Sequence, residues 1–556
     1  MKASLVAAAA VAASLCASSL AAAPGRTASV ISIWRLPAPL APDASVQAVE
    51  AGVVAINFLD PELGALAQHA GAKTTLAVDP AWVTALERQA SGDSVLPALA
   101  AGQVGADDPR ATQLLDVLSS DVVPSTEVAS TPVGKRFIAD SSAARLALMG
   151  DSAAHFSQLD DVDFAAAALV LSLASNGNAA KYTALLHKES LDGHDLMGLA
   201  AAFTHACRDV LDKTRKAAST GQLEIAALPA YEPIMPLIIN AGDRRIGAPH
   251  TVDLGAGADV SAALEEGLRA AHSLAPGRGA AGVLSPSGAY NDETAELIQA
   301  QHAGYGIFSE RVVKANAGAS AAAVSDVHSA AFRAYLLETS KTDKLPVLFC
   351  SDTMSNALDS QPPSAPASAM ADRLQVAVNG ALAIAPAQEP TVVVVCLNGT
   401  GTVLRRPDRA LVLDDFSAMS AGGSVRATTP KEYLRQHKPT SETYGYAPGS
   451  DVGGFDLWMG SSNQMAMWQA LSDARKAAGG DAAVANPAVR DPLLRAESGV
   501  WFLALMIPQP RYLTDDYVAR FRSLISDIYR GVGKTVPPDV APVKLETPEP
   551  VGVPGK

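Results

Sequence analysis

The sequence predicts an α/β protein with a parallel sheet, followed by a helical region. Three observations carry this. Short apolar segments alternate with longer stretches of helical periodicity, the pattern of strands joined by crossover helices. Several of these segments are apolar on both faces, as a fully covered sheet requires. Beyond about Pro430 the strands stop and amphipathic helices continue alone.

In chain order, SVISIWRL (Ser29 to Leu36) reads as a strand, then Gly52 to Leu59, AKTTLAV (Ala72 to Val78) and QLEIAAL (Gln222 to Leu228). GVLS, YGIFS, LPVLFCS and TVVVVCLN follow, the last from Thr391 being the clearest doubly buried run. Leu196 to Ala218 and Val260 to Ser273 carry helical periodicity between strands. KEYLRQ, NQMAMWQALSDARKAA and DDYVARFRSLISDIYRGV are predicted amphipathic helices, the last ending at Gly531. QPPSAPASA (Gln361 to Ala369) is a surface loop, and Val536 to Lys556 is a Pro-rich tail predicted to be unstructured. No internal repeat is seen.

At 556 residues the chain is long enough for two or three domains. A 48% hydrophobic content places it among globular chains, and the formal net charge of -14, with no basic stripe, argues against nucleic acid as a partner. The first residues, MKASLVAAAAVAASLCASSLAAAPG, show Lys2, an apolar run and the small-x-small site Ser19-Leu20-Ala21. They read as a secretory signal peptide over residues 1–23, with Leu15 before Cys16 a poor fit to lipoprotein processing. The mature chain is expected to be periplasmic or secreted, with no transmembrane helix once the signal is removed. Cys207, Cys350 and Cys396 then remain, an odd number without C-x-x-C spacing, so neither a disulfide framework nor a structural zinc site is expected. Cys350 and Cys396 each end a predicted strand. They can bridge if those strands are neighbours, but two buried thiols is the favoured reading. His69, His155, His187, His194 and His205 are scattered, with surface or core roles preferred to metal ligation. No metal or cofactor is expected.

Several segments carry a resemblance. GQLEIAALPAYEPIMPLI (Gly221 to Ile238), GVLSPSGAYND (Gly282 to Asp292), TVVVVCLNGTGTV, APGSDVGGFDLWMGSSNQMAMWQALSDAR and LRAESGVWF occur in an order and spacing that resemble glycoside hydrolase family 57. SIWRLPAPLAPD and LPVLFCSDTMSNAL stand where that family has its first motif and an Arg-Asp motif. The resemblance extends from about Ile33 to Trp501. It implies a distorted seven-stranded (β/α) barrel, TIM-barrel-like, over residues 28–425, with a C-terminal helical domain over 426–535 and the tail over 536–556. It also implies an α-glucan as the substrate class.

The departures from the family pattern decide the expected function. The nucleophile position holds Ser287 and the acid/base position Asn398, with Thr400 for the Glu that follows it. Arg35 and Pro37 replace the first-motif histidines, Glu232 the second-motif His, Val500 the last-motif Asp, and Cys350-Ser351 the Arg-Asp pair. Backbone- and core-shaping residues stay: Trp34, Pro39, Gly221, Pro229, Pro233, Pro236, Gly282, Gly288, Gly399, Gly449, Trp458, Trp468 and Trp501. A retaining glycosidase needs two carboxyls roughly 5 Å apart. A serine hydroxyl is a poor nucleophile without an adjacent base, and an asparagine amide cannot deliver a proton to a leaving group.

Family chemistry is therefore not expected. The expected function is a non-catalytic protein that binds an α-glucan, another polysaccharide or an envelope partner. An active glycosidase or glucanotransferase with a relocated carboxylate at Glu232, partnered by Asp352 or Asp292, is the alternative, and a structural envelope protein a third reading. Arg35, Tyr231, Tyr290, Asp352, Trp458 and Trp501 are candidate substrate contacts. Against these stand plainer readings: Ser287 as a helix N-cap, Glu232 paired with Arg35, Glu224 as a structural acid, and the tryptophans as core.

Overall fold

The computed structural model describes residues 27–540, apart from 106, 150–160, 176, 247–251, 318–330, 340–342, 363, 386–389, 399–402, 404–405, 422–424, 440–441, 444–447 and 507–510. The expected leader with Cys16, and also His155, Gly399, Thr400 and residues 541–556, lie outside the described residues.

Among the described residues ten strands join one sheet. Seven run parallel and close into a barrel: β1 (Ala28–Leu36), β2 (Thr74–Val78), β3 (Leu223–Ala227), β4 (Val283–Leu284), β5 (Gly306–Ser309), β7 (Lys344–Cys350) and β8 (Val392–Asn398). The remaining three are β6 (Tyr335–Glu338), antiparallel to β7, β9 (Val425–Ala427), beside β1, and β10 (Glu442–Thr443), beside β6. The chain therefore still makes a short strand after Pro430, where the periodicity predicts only helices. Two residues are too few to leave a period.

The seams differ in strength. β1 and β8 pair from Ser29↔Val392 to Arg35↔Asn398, whereas β7 meets β8 only at Cys350↔Val394 among the described residues. A disulfide between Cys350 and Cys396 crosses that seam, with Cα atoms 5.8 Å apart. This corrects the reading of two buried thiols: closing the barrel makes neighbours of strands 46 residues apart in sequence. Cys207 stays a buried thiol.

Strand alternation builds two cores. Ile31 and Ile33 of β1 point into the barrel with Ala77, Ala226, Ile307, Leu348 and Val394. Val30, Trp34 and Leu36 point outward into the larger core shared with the helices. Both faces of each strand are thus covered, which is why these segments read as continuous apolar runs.

One predicted strand is a helix. Gly52 to Leu59 falls at the end of α1 (Ala44–Val54) and in the π-helical turn Ala55–Leu59. Asp43 caps α1 by accepting from Ser45 N at 2.8 Å. A short apolar run buried on all sides has no period to read, so periodicity cannot tell strand from helix there. At Gly52 an added Cβ would lie 2.7 Å from the Phe203 ring. That close approach belongs to the contact with α2 (Gly193–Thr220), the long helix predicted over Leu196 to Ala218.

The C-terminal region contains α3 (Pro430–Gln436), α4 (Ser462–Ala477), α5 (Pro487–Ala496) and α6 (Arg511–Gly531). A reciprocal Ser461–Gln464 capping box starts α4. Of these four, α5 lies outside the predicted helices, its pattern being interrupted by Pro492, as do the short helices Asp456–Met459 and Gly499–Leu503. The start of the predicted unstructured tail docks: Val536 and Val540 pack on the core, and Val540 O accepts from Arg522 Nε at 3.1 Å. No helix among the described residues is long and apolar enough to cross a membrane.

Candidate functional site

The C-terminal ends of the barrel strands gather most of the sequence-predicted residues. Arg35 lies near the end of β1, in register with Asn398 at the end of β8. Asp79 follows β2, Tyr231 and Glu232 follow β3, Ser287 follows β4, and Asp352 follows β7. This is the end at which (β/α) barrels place their chemistry.

The turn after β3 is strained. Tyr231 and Glu232 have φ of 60° and 51°, successive left-handed positions without glycine. Surrounding bonds hold them there. Asp79 accepts from Tyr231 N at 2.7 Å, Tyr231 OH donates to Asp491 Oδ1 at 2.5 Å, and Gly499 N donates to Glu232 O at 3.3 Å. Arg35 Nη2 donates to both Glu232 oxygens at 3.1 Å. The plainer reading of Glu232 as the partner of Arg35 is what the structure contains.

Ser287 also has a left-handed backbone, at φ 50°. It does not cap a helix: Asn291 caps Asp292–Ala300, accepting from Thr294 N. Among the described residues no base hydrogen-bonds to its hydroxyl, which leaves the serine without the activation a nucleophile needs. Its carbonyl accepts from Asp451 N at 2.8 Å, and Tyr290 pairs with Gly449. Segments from the C-terminal region therefore bond directly to the loops after β3 and β4 and partly roof the mouth.

Several carboxylates face Arg35 and Arg311. Burial and the Glu232 charge push Asp79 well above the ordinary carboxylate range. Burial lifts Asp352 to about 7, with Glu310 and Asp451 adding to it against the Ser309 hydrogen bond and Arg311. Burial lifts Asp359 to about 6, opposed by the hydrogen bond from Asn398 N and by Arg35. Asp451 is raised by burial and lowered by Arg35 and Arg311. Arg35 is raised, chiefly by Glu232, and also feels Asp451 and Asp359. Asp79, Asp359 and Asp451 were missed in the sequence. Asp79 alone left a signal there, an Asp-Pro step at a strand-to-helix junction.

Other predicted contacts are placed elsewhere. Trp458 is 2% exposed and Trp501 6%, with Nε1 of Trp501 donating to Arg495 O. Tyr290 is fully buried against Phe308, its hydroxyl donating to Asp292. All three rings are buried, Tyr290 against Phe308, Trp458 beside Phe455 and Trp501 against Tyr517. Tyr231 is half-buried beneath Arg495. Asp292 pairs with Arg245, so it is no partner for Glu232. Glu224 accepts from Tyr305 OH and Lys431 N, the structural role read for it. Among the described residues no group of three or more His, Cys, Asp or Glu side chains is gathered to hold a metal ion.

A closed parallel barrel with its polar residues at the strand C-termini and C-terminal segments over that mouth defines a (β/α) barrel protein with its candidate site at the strand ends. The model of glycosyl hydrolase family 57 matches residues 174–444, and that stretch belongs to the family. Similar solved structures include the GH57-type branching enzyme of Pyrococcus horikoshii, with a TM-score of 0.55 at 11% identity over 94% of this chain and 98% of that one. An alpha-amylase from Thermotoga maritima matches with a TM-score of 0.53 at 10% identity over 91% and 94%. The 4-alpha-glucanotransferase of Thermococcus litoralis matches with a TM-score of 0.51 at 12% identity over 91% of this chain, which spans 59% of that enzyme's length. At such identities the likeness is one of fold. No curated protein matches the chain.

Proposed function

We propose that this chain is an exported, non-catalytic member of family 57 that binds an α-glucan at the barrel mouth without cleaving it. The observation that carries this is the pair of residues at the strand ends: Ser287 after β4, without an activating base, and Asn398 in register with Arg35. Neither can supply the carboxyl that the family's retaining chemistry needs. The α-glucan class comes from the family and from the printed activities of its structural neighbours. The Cys350–Cys396 disulfide supports export, since such bonds persist in oxidising compartments.

A second reading has its own support. Asp352 titrates near 7, and Asp451 is bonded by its backbone to Ser287, so two carboxyls of unequal environment flank the mouth. These replace Glu232 as the candidates for relocated acid-base chemistry, because Glu232 is engaged by Arg35.

The test is a turnover screen of the mature protein on aryl α-glycosides and soluble α-glucans, with isothermal titration for binding. The expected result is saccharide binding without turnover. Turnover that disappears in Asp352→Asn or Asp451→Asn overturns the proposal in favour of the second reading. Absence of both turnover and saccharide binding overturns it in favour of an envelope protein partner.

A further inference from the structure

The opposite end of the barrel carries a second polar cavity, of about 400 Å³, at the N-terminal ends of β2, β3 and β4. Lys73, Arg278, Lys431 and Arg435 line it, against two carboxylates, Glu224 and Glu432. A basic pocket is unexpected in a chain of net charge -14.

The carboxylates are already engaged. Glu432 pairs with Lys73. Glu224 accepts from Tyr305 OH at 2.6 Å and from the backbone N–H of Lys431 at 3.0 Å. The ammonium of Lys431 donates instead to a neutral group, the Arg278 carbonyl, at 2.7 Å. Burial and the Arg278 charge lower the Lys431 pKa against the pull of Glu224. Arg278 Nη2 lies over Gly221, where a Cβ would come within 2.9 Å of it, so a side chain there would displace the guanidinium. Among the described residues neither Arg278 nor Arg435 has a carboxylate partner. Four cations, Lys73, Arg278, Lys431 and Arg435, thus face two carboxylates, and the lining carries more positive than negative side chains.

We propose that this cavity binds a phosphoryl-type oxyanion, either free or carried on a small sugar. Its volume suits a ligand of that size. A guanidinium offers paired N–H donors to two oxygens of such a group, while lysine adds a point charge. The site is separate from the barrel mouth and does not depend on whether the mouth is catalytic.

The test is isothermal titration of the full mature chain at low ionic strength with pyrophosphate, and in parallel with glucose 1-phosphate and with glucose. Arg278→Ala, Lys431→Ala and the exposed Arg435→Gln are compared with Arg245→Ala, a distant control, each first checked by thermal melting. The expected result is binding of both phosphates but not of glucose, weakened about tenfold or more by each cavity variant and unchanged by the control, as loss of a charge-assisted contact implies. Tighter binding of glucose 1-phosphate than of pyrophosphate identifies a sugar-borne group, and the reverse a free oxyanion. No binding to the parent chain, or binding equally strong in Arg435→Gln and the other cavity variants, overturns the proposal.

Discussion

Arg35 Nη2 stands 3.1 Å from both carboxylate oxygens of Glu232, and Arg35 is the cation that Glu232, Asp451 and Asp359 all act on at the barrel mouth. Arg35 and Glu232, read in the sequence as standing at two family histidine positions, form an ion pair. The pair ties β1 to the strained turn after β3.

This relationship predicts unequal costs for its two halves. Glu232→Gln removes one carboxylate from an acid-rich site and is expected to cost about 1–3 kcal/mol, the range for an unsatisfied partly buried partner. Arg35→Ala leaves several carboxylates without their cation and is expected to cost more. Urea denaturation of both variants measures the difference. Equal costs, or a larger loss in Glu232→Gln, contradict this account of the mouth.

The buried acids set a pH dependence. Asp352 and Asp359 titrate near 7 and 6 in the folded chain, against about 3.9 when unfolded. Between those values the folded state holds protons that the unfolded chain has released, so their contribution makes stability fall as pH rises from about 4 to 7. Asp352→Asn is expected to match the parent melting temperature near pH 4 and to exceed it progressively toward pH 8. A gap that stays constant with pH refutes this.

A second buried network lies between α4 and the Ala496–Ser498 segment. Arg475 Nε donates to Asp259 at 2.6 Å, while burial and the Asp259 charge push Glu497 well above its ordinary range. Arg475→Met leaves the buried Asp259 carboxylate without its cation and is expected to destabilise by about 3–5 kcal/mol. Glu497→Gln mimics the protonated acid and is expected to leave stability at neutral pH unchanged or raised. Calorimetric melting separates the two, and a large loss in Glu497→Gln indicates that the acid is held ionised.

The disulfide makes a redox prediction. Closing a loop across 46 residues is expected to contribute about 2–4 kcal/mol. The Cys350→Ala/Cys396→Ala double variant should lose that amount, and reductant should lower the melting temperature of the parent chain but not of the variant. Equal sensitivity to reductant in both removes the bond from the account.

The strands that form the barrel were legible because each is a short apolar run between turn residues, and the sheet buries both faces. Gly52 to Leu59 was misread for the same reason: burial on every side erases the period that separates helix from strand. The short β6 and β10 were too brief, or too polar, to register. At the site, Ser287, Asn398 and Glu232 stood out against a family pattern, and the Arg35–Glu232 pair was anticipated. Asp359 and Asp451 were not, because nothing local marks a carboxylate whose meaning comes from a fold that carries it to Arg35. Trp458 and Trp501 were ambiguous for the converse reason, since an indole serves a core or a sugar equally well and only the packing decides.

The weak seam between β7 and β8 has a mechanical consequence. Among the described residues two joints of the ring, β3–β4 and β7–β8, are each registered through a single pair, and the second is clasped by a covalent buckle. Asp352 follows Cys350 by two residues and Asn398 follows Cys396 by two. The buckle therefore sits just below two lips of the mouth. Fastened, it fixes the span between them; unfastened, it leaves the aperture free to widen on that side, while the long β1–β8 ladder keeps Arg35 level with Asn398.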